Sequence, residues 1–252
     1  MVQPKKITLS LSGGGIRSLA SLGVIKYLDN GIFDIVGISG SSGGAIVSLL
    51  VSYGLSLEEI ESFYLSIDKL DIFRPSLKSI FSLSVLEEKL FDSISERSLV
   101  MDFFICVTDL KTGNPVYVNA ADFDKTEVIK YVIASCSLLP FFSPVVIGNN
   151  TYVDGGYSDN MPNQMFQELR LSGIENVSVN VNNVSNELSL SPIKLIKRIL
   201  LITMNANIRN SKSNADIYIN IDTLSNIGLF DFKKYSMVVD EGYKKAKMVL
   251  EN

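Results

Sequence analysis

Apolar and polar positions follow two periods along this chain, and the two periods indicate strands and helices. Short apolar runs bounded by glycine or turn residues indicate buried strands, whereas apolar residues recurring every three or four positions indicate helices. The predicted strands are Lys5–Leu11, Ile32–Ser39, Asp102–Thr108, Val116–Val118, Val177–Val181 and Ile217–Ile221, with a hairpin over Val145–Val153. The predicted helices are Ser18–Asn30, Ala45–Tyr53, Leu57–Leu65, Val85–Ser93, Lys125–Ser135, Pro162–Leu171 and Lys233–Leu250.

The order of these elements predicts the fold class. Strands that alternate with helices are typical of a mainly parallel sheet covered on both faces. We therefore predict an α/β fold with three layers, α/β/α, around a mainly parallel central sheet. Neither a repeat nor a linker interrupts the pattern, so residues 1–252 are expected to form a single domain.

Composition and charge narrow the function classes. Hydrophobic residues make up 46% and charged residues 20% of the chain, which is typical of a folded protein. The net charge of −4 argues against a nucleic-acid surface, although Lys194, Lys197 and Arg198 form a local basic patch. No apolar run reaches a membrane span, and the triple glycine at 13–15 interrupts the only candidate signal peptide. We expect a cytoplasmic protein, with peripheral membrane contact as a possibility.

The chain contains no histidine and only two cysteines, Cys106 and Cys136. Two cysteines without metal-type spacing and without a histidine partner predict neither a metal site nor a cofactor. Histidine is also the side chain that most often accepts the proton of a catalytic serine. A Ser-His-Asp triad is therefore excluded, and any catalytic serine here must use a carboxylate as its base.

A nucleophile-elbow pattern lies between a predicted strand and a predicted helix. Gly40 and Gly44 flank Ser42 at the Gly-x-Ser-x-Gly spacing, which permits a turn too tight for side chains at the flanking positions. Such a turn exposes the serine oxygen at the N-terminus of the helix. Ser39 and Ser41 each lack one of the flanking glycines, so Ser42 is the best candidate nucleophile.

Two further glycine-rich turns are candidate parts of a site. The run Gly13-Gly14-Gly15-Ile16-Arg17 ends a strand and opens a helix, so its amides can converge on a negative oxygen. A phosphate-binding turn, or a turn that is merely tight, explains this run equally well. Asp154-Gly155-Gly156 follows a short strand and leaves its carboxylate unobstructed, although most Asp-Gly pairs only form turns.

These three turns and the stretch from Ala134 to Pro144 resemble motifs of the patatin-like phospholipase family. The motifs occur in the same order as in that family, and the resemblance extends from about Ile7 to Leu171. The resemblance implies a Ser42–Asp154 dyad that hydrolyses acyl esters of lipids without histidine, metal or cofactor. The resemblance further implies an oxyanion hole and residues that support it. The oxyanion hole would comprise Gly13, Gly14, Gly15 and Gly43, supported by Arg17, Gly40, Gly44, Gly155 and Gly156.

The implied function is a phospholipase A or lysophospholipase that works through an acyl-enzyme. A carboxylate with an ordinary pKa of about 3.9 is a weak base for an alcohol, so burial must raise the pKa of Asp154 or the oxyanion hole must do more of the work. Leu77, Ile80, Phe81 and Leu83 are one candidate surface for lipid docking. The oligomeric state stays open.

Two alternatives remain. The first is a catalytically silent scaffold of the same fold that binds lipids or anions. The second is a phosphate- or nucleotide-binding module built on the triple glycine, which is disfavoured because Gly13–Ser18 lacks both the P-loop lysine and the dinucleotide-binding glycine spacing.

Overall fold

A computed structural model describes residues 3–68, 74–75, 80–184, 190–228 and 231–251. An eight-stranded sheet lies at the centre, with the order β10-β9-β1-β2-β5-β8-β7 and with β6 also paired to β5. The strands are β1 (Lys5–Leu11), β2 (Phe33–Ser41), β3 (Arg74–Pro75), β4 (Phe81–Ser82), β5 (Asp102–Asp109), β6 (Pro115–Asn119), β7 (Val145–Ile147), β8 (Asn150–Asp154), β9 (Glu175–Asn180) and β10 (Ile217–Asn220). Strands β3 and β4 form a separate short pair.

Helices cover the sheet on both faces. They are α1 (Ala20–Leu28), α2 (Gly43–Ser52), α3 (Leu57–Leu65), α4 (Ser84–Ile94), α5 (Lys125–Ser135), α6 (Gln167–Leu171), α7 (Pro192–Ser213) and α8 (Tyr235–Leu250). Strands β10, β9, β1, β2 and β5 run parallel, whereas β6 and β8 pair antiparallel with β5. The predicted three-layer α/β fold with a mainly parallel sheet is therefore confirmed.

One face of the sheet is apolar. In register across β9, β1, β2 and β5 lie Val177, Leu9, Ile38 and Phe103, each completely buried. Helix α2 packs against β2 on this side, and α5 packs against β5. Burial of continuous apolar side chains between a parallel sheet and its helices is the main source of stability in such folds.

The opposite face is polar although it is equally buried. Ser178, Ser10 and Ser39 form the next row in register, and Asn176 and Thr8 precede it. The Asn176 amide nitrogen donates to the Thr8 and Ser10 hydroxyls at 3.0 Å each, and the Ser178 hydroxyl donates to the Asn176 amide oxygen at 2.7 Å. These hydrogen bonds satisfy groups that would otherwise be costly to bury.

The segment before α6 covers this polar face. The Ser39 hydroxyl donates to the Pro162 carbonyl, and the Asn163 amide bridges from Ser178 to the Ser211 carbonyl of α7. The predicted helix starting at Pro162 is wrong, because a 3₁₀ turn over Gln164–Phe166 comes first and α6 begins at Gln167. The sequence places Asp159 or Asn160 as the cap of such a helix, but both residues instead make buried contacts around the site.

Most remaining element predictions are confirmed within one or two residues. Helix α7 is the exception, since the sequence patterns did not indicate it. In the described ranges, no helix is both long and apolar enough to cross a membrane. Of the four residues suggested for lipid docking, Ile80 is exposed, Phe81 is half-buried, Leu83 is buried, and Leu77 lies outside the described residues.

Candidate active site

The nucleophile elbow joins β2 directly to α2. Ser42 has φ 52° and ψ −128°, and it is the only residue other than glycine with a positive φ in the part of the chain that the structure describes. This conformation strains an L-residue, and such strain is typical of a nucleophile held at a sharp strand-to-helix turn. A Cβ on Gly40 would lie 2.4 Å from the Gly44 carbonyl oxygen, so the turn requires glycine there.

Strand register brings the aspartate to the serine. Ser41 pairs with Cys106 and Asp154 pairs with Val107, while β6 occupies the other edge of β5, so β2 and β8 end next to each other along one edge of β5 and bring Ser42 beside Asp154. The Ser42 hydroxyl donates to Asp154 Oδ2 at 2.8 Å, and the Gly156 amide donates to Oδ1 at 2.8 Å. Ser42 is half-buried, whereas Asp154 is completely buried.

Burial changes the acidity of this carboxyl group. Desolvation raises the pKa of Asp154 to about 7, and the hydrogen bonds from Gly156 and Ser42 partly offset that rise. A carboxylate with a pKa near neutrality is a much stronger base than an exposed aspartate, while it is still about half ionised at pH 7. The site therefore holds a proton acceptor suited to a serine hydroxyl without any histidine.

The turn after Asp154 requires glycine for reasons of space. A Cβ on Gly155 would lie 2.1 Å from the Cys106 carbonyl oxygen of β5. A Cβ on Gly156 would lie 2.8 Å from Asn160 Oδ1 and 2.9 Å from the terminal methyl of Met204. These close approaches let β8 end against β5 and hold the Asp154 carboxylate beside Ser42.

A serine-containing segment after α5 braces both members of the pair. The Ser42 amide donates to Ser135 Oγ at 2.8 Å, and the Ser135 hydroxyl donates to the Cys106 carbonyl at 2.6 Å. The Asp154 amide donates to the Ser137 carbonyl at 3.2 Å. The family resemblance included this segment, but no role for Ser135 was predicted, because its contacts depend on the tertiary structure.

The triple-glycine loop lies against the elbow. Gly15 and Gly43 each begin a helical turn, so no preceding turn supplies an acceptor for their amides. A Cβ on Gly43 would lie 3.2 Å from the Gly15 nitrogen, which shows how closely the two turns approach. Gly14 precedes this turn with φ 158°, a value in the range that favours glycine.

Gly13 differs from the other predicted oxyanion residues. Its amide donates to the Asn160 carbonyl at 3.1 Å, and its carbonyl accepts from the Asn182 side chain. The amide of Gly13 is therefore already engaged, and this contradicts a role as a free oxyanion donor. Gly13 instead joins the loop to the segment that follows the Asp-Gly-Gly turn.

Arg17 also points away from a possible oxyanion. Its Nε donates to the Ile227 carbonyl at 2.8 Å, and burial lowers its pKa to about 10. These contacts indicate that Arg17 fixes the loop and does not supply a positive potential to the substrate. Arg17 thus joins the 3₁₀ turn at Gly15–Leu19 to the C-terminal part of the fold.

Two asparagines that sequence reasoning missed lie around the aspartate turn. The Asn207 side chain accepts from the Asn160 amide at 3.0 Å and donates to the Gly156 carbonyl at 2.8 Å, so α7 holds the turn. The Asn160 side chain is completely buried, and neither of its amide atoms has a hydrogen-bond partner within the described ranges. No pattern in the sequence indicated a role at the site for either residue.

The remaining polar groups do not form a metal site. Within the residues described, no group of three or more histidine, cysteine, aspartate or glutamate side chains is arranged to hold a metal ion. Burial raises the pKa of both Cys106 and Cys136 well above the usual range of a thiol, so both favour the unreactive protonated form. The chemistry available at this site is that of a serine hydroxyl, a carboxylate and backbone amides.

The protein has an α/β fold with a mixed central sheet, and a glycine-flanked serine lies at the turn from β2 to α2. A family model described as patatin-like phospholipase matches residues 9–166, and the chain belongs to this family. The match includes the triple-glycine loop, the elbow and the Asp-Gly-Gly turn.

Two relatives match this chain over only part of its length. An uncharacterised NTE family protein of Mycobacterium tuberculosis is 29% identical over 165 residues, which cover 62% of this chain and 44% of that protein. A cUMP-AMP-activated phospholipase of Escherichia coli is 28% identical over 179 residues, which cover 61% of this chain and 55% of that protein. The chain thus spans about half the length of these relatives.

A solved structure supports the fold. VipD from Legionella pneumophila superposes with a TM-score of 0.58 over 99% of this chain and 67% of its own, at 14% sequence identity. At that identity the likeness concerns the arrangement of the sheet and helices alone.

Proposed function

We propose that this protein is a serine acyl-ester hydrolase of lipids, with Ser42 as nucleophile and Asp154 as general base. The observation that carries the proposal is the 2.8 Å hydrogen bond from the Ser42 hydroxyl to the buried Asp154 carboxylate. Phospholipids or lysophospholipids are the proposed substrates, in keeping with the family. A single domain over residues 1–252 and a cytoplasmic location belong to the same proposal.

The reaction proceeds in two steps. The Ser42 oxygen bonds to the ester carbonyl carbon while its proton moves to Asp154 Oδ2, and the carbonyl oxygen becomes negative. When the tetrahedral intermediate collapses, the ester bond breaks, and the leaving alcohol takes the proton from Asp154. Water then attacks the acyl-enzyme, loses its proton to Asp154, and releases the fatty acid while the proton returns to Ser42.

Backbone amides stabilise the negative oxygen. The amides of Gly14, Gly15 and Gly43 are the proposed donors, because Gly15 and Gly43 begin helical turns and Gly14 lies directly beside them. Helix α2 adds the positive end of its dipole at the same point. Loss of one such donor typically reduces the rate by about 10²–10³. Gly13 is not included, because its amide is bonded to Asn160.

A labelling experiment separates this proposal from a silent scaffold of the same fold. A fluorophosphonate probe is expected to label Ser42, as read by mass spectrometry of the peptide, and Ser42→Ala is expected to abolish labelling and ester hydrolysis. Ser39→Ala and Ser41→Ala, at the end of β2 directly before the turn, serve as matched controls. Probe attached to another residue, or hydrolysis retained in Ser42→Ala, would overturn the proposal.

The pH dependence tests the base. Because the pKa of Asp154 is raised to about 7 and only the carboxylate accepts a proton, kcat/KM for a soluble ester is expected to rise with pH to a plateau, with a midpoint near 7. A titration near neutrality therefore does not require histidine, which this chain lacks. A rate that is constant from pH 5 to pH 9 would contradict the assignment of Asp154 as base.

A further inference from the structure

Helix α7 carries apolar residues on two opposite sides. Leu200, Met204 and Ile208 are partly or fully buried, and they face the rest of the protein. Ile199 and Ile202 lie on the outer side, where they are 62% and 50% exposed, and Ile196 at one flank is 42% exposed. Isolated exposed apolar residues are ordinary, but three within two turns of one helix form a patch that favours a partner.

The charges around this patch are all of one sign. From Leu190 to Ala215 the sequence contains five cations and no acidic residue, although the whole chain has a net charge of −4. Lys194 is exposed at the flank of the helix, whereas Lys197 lies on the inner side, with its Nζ 5.9 Å from the centre of the Phe141 ring. A helix with an apolar outer side and a cationic flank matches a surface that is apolar within and anionic at its edge.

The same helix contacts the candidate active site. Asn207 donates to the Gly156 carbonyl at 2.8 Å, and Met204 lies close enough to Gly156 that a Cβ there would be 2.9 Å from its methyl group. Since a helix is about 10 Å across, a membrane against the outer side of α7 would lie within roughly that distance of the Asp154 turn.

From the exposed isoleucines, the uniform charge and the closeness to the site, we infer that α7 docks this protein onto the surface of an anionic phospholipid bilayer. The inserted side chains are Ile196, Ile199 and Ile202, and Lys194 at the flank of the helix contacts the anionic headgroups. The inference rests on the proposed function, because it takes the substrate to be a lipid held in a bilayer. It replaces the docking surface suggested around residues 77–83.

Vesicle sedimentation tests the inference. The protein carrying Ser42→Ala, which leaves the lipid intact, is mixed with vesicles of phosphatidylcholine alone or with phosphatidylglycerol added. Binding is expected to need phosphatidylglycerol and to weaken with salt. Ile199→Ser with Ile202→Ser is expected to reduce the partition coefficient at least about tenfold. Lys194→Gln is expected to reduce it by about fivefold.

Matched controls use exposed residues elsewhere. Leu171→Ser removes an apolar side chain that is 82% exposed on α6, and Lys130→Gln removes an exposed lysine of α5; neither is expected to change binding. Unchanged binding in the Ile199/Ile202 variant would overturn the inference. So would a dimer that this variant converts to monomer, by light scattering, without a change in vesicle binding, since α7 would then be an interface between copies.

Hydrolysis of a soluble short-chain ester separates this inference from the proposed function. The Ile199/Ile202 variant is expected to retain that activity when it carries an intact Ser42, while its hydrolysis of vesicle lipid falls together with binding. If the unaltered protein binds anionic vesicles but hydrolyses neither substrate, the proposed function fails and the docking surface stands. If it hydrolyses the soluble ester but does not bind vesicles, the docking surface fails alone.

Discussion

The two faces of the central sheet are equally buried, but they are built from different chemistry. On the apolar face, Leu9, Ile38 and Phe103 pack against helices by contacts that depend on shape and volume. On the polar face, Ser10, Asn176 and Ser178 are held by directional hydrogen bonds. The apolar face needs only suitable apolar volume, whereas each group of the polar face needs a particular partner.

This difference explains where the candidate site is held. The elbow that carries Ser42 continues into α2 on the apolar side, and its geometry is local. The Asp154 turn is fixed instead by polar groups from distant parts of the chain, including Asn207 of α7. Directional bonds specify position more closely than apolar packing does, so the polar side is the one suited to placing a carboxylate.

Asp154→Asn is expected to give the largest effect, because it removes the carboxylate that accepts the serine proton in the proposed reaction. Ester hydrolysis should fall by roughly 10³-fold or more, measured as kcat/KM on a soluble ester. Stability should change in the opposite direction. The native protein keeps the Asp154 proton up to about pH 7, whereas the unfolded chain loses it near pH 4, so the carboxyl group destabilises the fold increasingly as pH rises between these values.

The asparagine variant should therefore be more stable than the unaltered protein above pH 7, by on the order of 4 kcal/mol, and should show no such gain below pH 4. Urea unfolding at pH 4 and pH 8 measures both limits. Ser42→Ala is the control, since it also abolishes activity but keeps the carboxyl group and hence the pH dependence. An equal gain at both pH values would mean that burial does not shift the pKa of Asp154.

On the apolar face, Phe103→Ala should cost about 3–5 kcal/mol of unfolding free energy, because a completely buried ring is lost and a cavity remains. Activity per folded molecule should stay within about twofold, since Phe103 pairs with Ile38, four residues before Ser42 along the chain. Ile32→Ala provides the comparison, because Ile32 is 60% exposed and its loss should change stability by less than about 0.5 kcal/mol. A comparable cost at both positions would remove the distinction.

On the polar face, Asn176→Ala should cost about 1–3 kcal/mol, because the buried hydroxyls of Thr8, Ser10 and Ser178 each lose a hydrogen bond. Adding Ser10→Ala should cost less than the sum of the two single changes, since the hydrogen bond between Asn176 and Ser10 is lost in both single variants. A double-mutant cycle by urea unfolding measures this coupling. Strictly additive costs would show that the hydrogen bonds do not act as a network.

The smallest effect is expected for Asn207→Ala. Loss of its two hydrogen bonds to Gly156 and Asn160 should cost about 1 kcal/mol and leave the KM for a soluble ester unchanged. The kcat should fall by about tenfold, because the aspartate turn is less well positioned. Asn210→Ala, an exposed position on the same helix, is the matched control. A variant with unaltered kcat would limit Asn207 to a structural role.

Local patterns predicted much of this molecule. The elbow around Ser42 and the turn after Asp154 each need glycine at fixed positions, and those requirements are visible in the sequence. The antiparallel pairing of β5 with β6 and the β7–β8 hairpin follow from turn residues between short apolar runs. These features depend on neighbours along the chain, so their signals are strong.

Features that depend on residues distant in the chain were either not predicted or predicted wrongly. Helix α7 has apolar residues on its inner and outer sides, so the first half of its sequence lacks the single polar side that marks a helix. Asp159 resembles a helix cap in the sequence, but its carboxylate accepts from Tyr117 and Ser211, which are distant in the chain. Likewise, nothing before the fold is known indicates that Gly13 is bonded to Asn160.

The backbone angles of Ser42 carry one more consequence. A residue with φ 52° and ψ −128° would relax if glycine replaced it, because glycine adopts such angles without steric cost. Selection for thermal stability alone would therefore favour glycine at this position and the loss of the hydroxyl group. Serine at position 42 therefore lowers the stability of the fold while it holds a reactive group at the turn.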